Sequence, residues 1–193
     1  MKLSINGILT LSGLTDAEMA SLKSENEWPN PQIQIAENMG RYTAHIPSLV
    51  EVWIEKDGVL FLPRGYLDRL LEQFTPEIID DQRTTAPVDM PPLEGVTYRE
   101  YQQDLLDQAY QHQQGTLTAP TGSGKSIMGM ALIAHHGQRS LILVNSKELA
   151  SQWKREILKW MGIEAGTVGG GKWIEGEEIT VAMLQTLHRN PEK

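Results

Sequence analysis

Eight residues, Ala119-Pro120-Thr121-Gly122-Ser123-Gly124-Lys125-Ser126, restrict this chain more than any other stretch. Gly122 and Gly124 let the backbone curl where a Cβ would clash, which aims successive N–H groups inward. A helix predicted over residues 125–136, with Gly137 as its C-terminal cap, points its partially positive N-terminus at the same place. The product is a cradle for phosphate groups. Lys125 supplies a charge able to reach the β- and γ-phosphates, and Ser126 a hydroxyl for a magnesium ion. The strict pattern opens with glycine, and here Ala119 takes that place. A short strand predicted at residues 116–118 and the helix behind the loop provide the context such a loop requires. The expected ligands are therefore ATP and Mg2+. Residues 119–126 all line the nucleotide, Lys125 and Ser126 carry the catalytic roles, and Ser126 is the metal ligand.

Around this loop, apolar residues alternate between helical and strand spacing. Tyr98, Tyr101, Leu105 and Ala109 fall on one face of a helix that ends before Gly115. Ser140-Leu141-Ile142-Leu143-Val144 is a continuous apolar run of strand length, the pattern of a strand buried on both faces. Asn145 with Glu148 resembles a capping box for a helix over 147–161, which Gly162 ends. Residues 179–183, Ile-Thr-Val-Ala-Met, are a second buried-strand candidate. Strands separated by helices of this length predict an α/β lobe with a parallel sheet over residues 95–193.

Residues 1–75 read instead as a small α+β unit. Two short strands flank Asn6-Gly7, a dipeptide suited to tight hairpins. Thr15 with Glu18 predicts a capped helix from Asp16 to about Glu25. Val50-Glu51-Val52-Trp53-Ile54 alternates as one strand, and Asp57-Gly58 turns it into Val59-Leu60-Phe61-Leu62. An amphipathic helix over 66–74 follows. Residues 76–94 hold Pro76, Pro87, Pro91 and Pro92 with little apolar periodicity, which predicts a linker and a boundary near residue 88. Asp80-Asp81 within it reads as a solvated acidic turn.

Charge divides the chain in the same way. Residues 1–90 carry 7 basic and 14 acidic side chains, a net of −7, whereas residues 91–193 carry 10 and 11, a net of −1. Neither part offers a general basic field, so nucleic acid must be met by placed groups. No window approaches the ~20 apolar residues of a membrane span. Asn6 and Gly7 interrupt the apolar stretch a secretory signal requires, and there is no cysteine for disulfides or thiolate metal sites. These features predict a cytoplasmic protein.

Residues 118–126 resemble motif I of superfamily 2 helicases, where alanine in the first position is common. Three further stretches keep that family's order. Tyr98-Arg99-Glu100-Tyr101-Gln102 resembles the adenine-reading motif, which implies contacts by Arg99 and Gln102 with the base or its surroundings. Residues 141–153 resemble motif Ia, with Asn145 where proline is usual, and imply backbone-phosphate contacts by Ser146 and Lys147. Gly169-Gly170-Gly171-Lys172 and residues 179–187 resemble the Ib and Ic region, implying nucleic-acid contacts by Gly170, Lys172, Gln185 and Thr186. The combination is most similar to XPB-type repair helicases and phage recombination helicases, over roughly residues 96–190. It implies a partial RecA-like P-loop NTPase lobe and DNA, duplex or branched, gripped through its phosphates. Pro29-Asn30-Pro31 and Leu62-Pro63-Arg64-Gly65 are similar to a small module that precedes the motor in phage and bacterial members, where it is taken to engage DNA.

Trp153 and Trp160, seven apart on one helix, are expected to pack in the core. His135 and His136 suit the end of a helix, and Lys154, Arg155 and Lys159 an ordinary solvated face. Trp173, beside Lys172 and three glycines, is a candidate for base stacking. The resemblance also calls for an Asp-Glu motif and a second motor lobe with an arginine finger. No apolar run ending in Asp-Glu follows residue 126, and Lys193 comes seven residues after Thr186. The expectation is the front part of a larger ATP-dependent helicase or translocase of repair, recombination or phage replication, with negligible hydrolysis by itself. The first-lobe sheet is then expected to be incomplete, with an open strand edge. Two alternatives stay open: the motor subunit of a restriction or defence system, and a binding module that holds nucleotide or DNA without turnover.

Overall fold

The computed structural model describes residues 1–192, which fall into two compact units, Met1–Thr84 and the residues from Thr85 onward.

The first unit begins with the expected hairpin, β1 (Lys2–Ile5) and β2 (Ile8–Ser12), paired antiparallel. Helix α1 (Asp16–Glu25) starts where Thr15 and Glu18 cap each other: the Glu18 carboxylate accepts from the Thr15 N–H at 2.7 Å, and the Thr15 hydroxyl accepts from the Glu18 N–H at 3.3 Å. These bonds hold the Glu18 carboxyl below its ordinary pKa. A two-stranded ribbon, β3 (Glu27–Pro29) with β4 (Leu49–Glu51), brackets α2 (Pro31–Asn38), whose cap is Asn30. Then come β5 (Ile54–Lys56), β6 (Val59–Pro63) and α3 (Leu67–Gln73). The sheet closes with β7 (Ile78–Asp81) in the order β5-β6-β2-β1-β7, with β7 parallel to β1. Alternation puts Leu3, Leu9, Leu11, Leu60 and Leu62 on one face, where they pack on Leu22 of α1 and Leu70 of α3. All seven are fully buried. Glu25 joins the two helices as well, accepting from the Tyr66 hydroxyl at 2.7 Å and the Gln73 amide at 3.0 Å beside Arg69.

Two expectations change here. Residues 50–54 are not one strand, because β4 pairs with β3 while β5 pairs with β6. The stretch 76–94 is not a free linker. Proline bars helix there, but β7 still completes a ladder on β1, so Asp80 and Asp81 lie on a strand rather than a turn. Further on, the Val88 N–H bonds Gly137, the Arg139 N–H bonds Ala86, and the Glu94 N–H bonds Trp160, all within the second unit.

The second unit carries α4 (Glu100–Ala109), α5 (Lys125–His136), β8 (Ser140–Val144), α6 (Lys147–Met161), β9 (Gly166–Gly169), β10 (Lys172–Ile174), β11 (Ile179–Met183) and α7 (Leu184–His188). Its sheet runs β10-β9-β11-β8, with β8, β11 and β9 mutually parallel and β10 turned back on β9. This is the expected α/β lobe. Met130, Ile157, Met161, Ile179 and Val181 form its main core, and Leu106, Met128 and Ala131 join α4 to α5. Trp153 and Trp160 pack against that main core, as read from their spacing.

Three details depart from expectation. Residues 116–118 form no strand, because no ladder reaches them. β11 is buried on both faces, but β8 is the edge strand, and Leu141 and Leu143 are about half exposed. On α4 the fully buried residue is Leu106, whereas Tyr101 lies on the exposed side and Tyr98 precedes the helix.

Candidate functional site

Residues 119–124 run as an irregular loop into α5, the arrangement its glycines demand. Gly122 and Gly124 sit at φ of +80° and +82°, in the left-handed region. A Cβ at Gly122 would meet nothing within 4 Å, so it would project into open space at the loop. A Cβ at Gly124 would lie 2.5 Å from the Gln102 amide nitrogen. Both glycines are therefore required, one for conformation and one for contact as well. The Ser123 hydroxyl is buried and has no hydrogen-bond partner among the described residues. Lys125 heads α5, exposed, and its ammonium donates to the Ala119 and Pro120 carbonyls, each at 3.0 Å. Ser126 is half-buried in the first turn. The loop thus gathers an exposed ammonium, a helix N-terminus and two left-handed glycines, groups that fit an anion of phosphate type.

The stretch 98–102 braces this loop from behind. The Gln102 amide donates to the Ser123 carbonyl at 2.7 Å, and the Tyr101 hydroxyl donates to the same oxygen at 2.9 Å. The Gln102 carbonyl accepts from the Arg99 N–H at 2.9 Å, which satisfies one of the free donors at the start of α4. Arg99 is exposed and donates to the Tyr101 hydroxyl at 3.2 Å. Arg99 thus stays open to solvent, whereas Gln102 is engaged at both ends and only 7% exposed. The part played by Tyr101 lay outside the sequence reading, which counted it toward the apolar face.

The residues read as nucleic-acid contacts gather at the C-terminal edge of the parallel strands. β8 ends at Val144 and leads to Ser146, which caps α6 by accepting from the Leu149 N–H at 3.2 Å. The cap is Ser146 and not Asn145, since the accepting hydroxyl lies three residues before Leu149. The same hydroxyl is also hydrogen-bonded to the Glu148 carboxylate. Lys147 beside it is exposed. β11 ends in α7, where the Gln185 amide donates to the Asn145 carbonyl at 2.9 Å and ties the two turns together; Thr186 lies one residue on, half-buried. The β9–β10 turn carries Gly169, Gly170 and Gly171, all at positive φ, and a Cβ at Gly169 would come within 2.7 Å of Met183. Gly170 and Lys172 are exposed there. Trp173 is half-buried on β10, with its indole N–H 3.4 Å from Glu175, so its ring is only partly presented. Lys154 also departs from the solvated face expected of it: it is half-buried and donates to the Thr167 hydroxyl at 2.7 Å.

No group of three or more His, Asp or Glu side chains capable of holding a metal exists among the described residues. Among the same residues no helix is long and apolar enough to cross a membrane.

Comparison with known proteins agrees with this geometry. A "probable helicase" of Escherichia phage T5 is 28% identical over 156 residues, covering 77% of this chain and 34% of its own length. The Rad25 of Halobacterium salinarum is 32% identical over 148 residues, covering 70% of this chain and 22% of its own. The "DNA 3′-5′ helicase XPB" of Mycobacterium tuberculosis is 32% identical over 98 residues, half of this chain and 18% of its own. The chain thus spans about a third or less of these relatives. The first two alignments exceed the second unit in length and reach into the first. Residues 95–193, more than half of the chain, match the family model described as "Type III restriction enzyme, res subunit". With the phosphate-type loop, the parallel sheet and helicases among its relatives, the second unit is a RecA-like helicase lobe, and the chain belongs to that res-subunit (ResIII) family.

Proposed function

We propose that this chain is the nucleotide-gripping front part of an ATP-dependent DNA helicase or translocase, acting in the cytoplasm. The observation that carries the reading is the loop itself. Two left-handed glycines and an exposed Lys125 meet at the N-terminus of the twelve-residue helix α5. Residues 119–124 would wrap the phosphates with backbone N–H groups, and Lys125 would exchange its two loop carbonyls for phosphate oxygens. Ser126 would contribute one hydroxyl to Mg2+. Bound Mg2+ supplies charge neutralisation at the phosphates.

DNA engagement is the second part of the proposal. Ser146, Lys147, Gly170, Lys172, Gln185 and Thr186 share the edge of the sheet where β8, β11 and β9 end. A helix N-terminus, two lysines and glycine N–H groups suit phosphate contacts, which position a strand without reading its sequence. The names of the relatives favour helicase over restriction work.

Titration of the chain with a fluorescent ATP analogue and Mg2+ tests the reading. Saturable binding is expected, and Lys125→Ala should weaken it roughly 10- to 100-fold by removing a charge-assisted bond. Equal binding by the variant, or none by the parent chain, would overturn the nucleotide reading. A labelled duplex followed by anisotropy tests the second part, with Lys147→Ala and Lys172→Ala each expected to weaken binding and reduce its salt dependence.

A further inference from the structure

We propose that Asn6 is a site of spontaneous covalent modification, at which the Gly7 backbone nitrogen displaces ammonia from the Asn6 side chain, and that the acidic product loosens the end of β7. The inference is independent of the nucleotide reading.

Asn6 and Gly7 form the exposed tip between β1 and β2. The Gly7 N–H donates to the Asn6 side-chain carbonyl at 2.8 Å, and to no backbone carbonyl among the described residues. A C=O bond is about 1.2 Å long, so the Asn6 Cγ lies no more than about 4 Å from that nitrogen. A Cβ at Gly7 would meet nothing within 4 Å, so neither a side chain nor a neighbour crowds the approach. The other five asparagines are placed differently. Asn30 and Asn190 precede proline, which has no N–H. The N–H after Asn38 is held by the Ile35 and Ala36 carbonyls, and Asn26 is buried with its amide on the Leu22 carbonyl. Asn145 precedes Ser146, whose side chain stands beside the nitrogen that would attack.

Water or hydroxide removes the Gly7 amide proton, and the nitrogen forms a bond to the Asn6 Cγ. The Cγ–Nδ2 bond breaks, the leaving nitrogen takes up a proton, and ammonia departs. Water then opens the five-membered succinimide. Opening at Cγ gives aspartate with the backbone restored, whereas opening at the backbone carbonyl carbon gives isoaspartate, with the chain routed through Cβ and Cγ. Asparagine and water are consumed, the acid and ammonia are formed, and nothing is oxidised or reduced.

The product alters the junction of β1 with β7. Ile5 lies opposite Asp81, so Asn6 faces Gln82 one step further on. The Asn6 amide donates to the Gln82 side-chain carbonyl at 3.5 Å, and the Gln82 N–H donates to the Ile5 carbonyl at 2.8 Å. A carboxylate at position 6 loses that donor and adds negative charge where β7 already carries Asp80 and Asp81. Isoaspartate also lengthens the turn by a methylene, which disturbs the pairing of β1 with β2.

Trypsin should release residues 3–23 as one peptide, cut after Lys2 and Lys23, in which Asn6 is the sole side-chain amide. The folded chain and a synthetic peptide of the same residues are incubated at neutral and mildly alkaline pH and followed by mass spectrometry. The expected result is replacement of NH by O in this peptide, with equal release of ammonia, faster at higher pH. The folded chain should convert within about tenfold of the free peptide's rate. Slower conversion than that would show that the turn protects Asn6 and would overturn the proposal. Gly7→Ala should slow the reaction about tenfold by crowding the nitrogen; an unchanged rate would mean direct hydrolysis of the amide and sink the route. Amide exchange at the Gln82 N–H, compared between the parent and Asn6→Asp, tests the consequence. Exchange about tenfold faster in the variant is expected, and equal exchange would refute the loosening of β7.

Discussion

The two units cover their sheets with different materials. The first packs leucine on leucine: Leu3, Leu9, Leu11, Leu60 and Leu62 meet Leu22 and Leu70, and none of the seven is exposed. The second uses methionine, isoleucine and alanine, and leaves Leu141 and Leu143 of its edge strand about half exposed. Helix caps differ in the same sense. Thr15 and Glu18 serve only the start of α1, whereas the corresponding bond from Arg99 to Gln102 belongs to a chain of contacts ending on the phosphate-type loop. Tight leucine packing and self-contained caps mark a unit whose residues serve its own stability. Shared contacts, left-handed glycines and open edges mark one whose residues are placed for something else.

Leu60→Ala would strike this contrast hardest. Removing a fully buried side chain from the leucine core is expected to cost ~2–5 kcal/mol, seen as a lower thermal transition of the first unit. Nucleotide affinity, read in parallel, should not move. If it fell as much as in Lys125→Ala, the two units could not be treated as separate in their roles.

A smaller effect is expected from acid. Hydrogen bonds from Gln73 and Tyr66, with Arg69 nearby, hold the Glu25 carboxyl below its ordinary value. The Tyr66 hydroxyl is pushed up to about 12 by burial and by Glu25, so it remains a donor throughout. A carboxyl with a lowered folded pKa stabilises the fold above its unfolded value, and that contribution is lost as pH falls through the folded one. The first unit should therefore lose stability as pH falls below the ordinary carboxylate range. Glu25→Gln should flatten that acid limb in a denaturation series; an unchanged limb would mean that the α1–α3 link does not matter for stability.

The least effect belongs to Leu143→Lys. Because the side chain is about half exposed on an edge strand, the change in stability should stay within about 0.5 kcal/mol. A loss comparable to that of Leu60→Ala would show that this face is covered in solution.

Local chemistry was the legible part of this fold. Thr15 and Glu18 fixed the start of α1, Gly137 and Gly162 the ends of α5 and α6, and the glycines of residues 119–126 the loop and its helix. What the sequence could not convey was which neighbours each element meets. An apolar run reads alike whether one or two faces are covered, so β8 looked as buried as β11. Ladder pairing between distant segments is likewise invisible, so β7 hid among prolines and residues 116–118 were credited with a ladder that does not form. At the loop, the motif named Arg99 and Gln102 alike, but only geometry separated the residue facing solvent from the one turned inward.

Gly129 is the fifth residue of α5, and a Cβ there would come within 3.0 Å of the Trp153 ring on α6. The missing side chain and the large ring make a matched pair of sizes, 24 positions apart in the chain. In a random mutagenesis library, any larger residue at position 129 should survive selection only together with a smaller one at position 153. Across descendants of this lobe the two positions should drift together, each recording the history of the other.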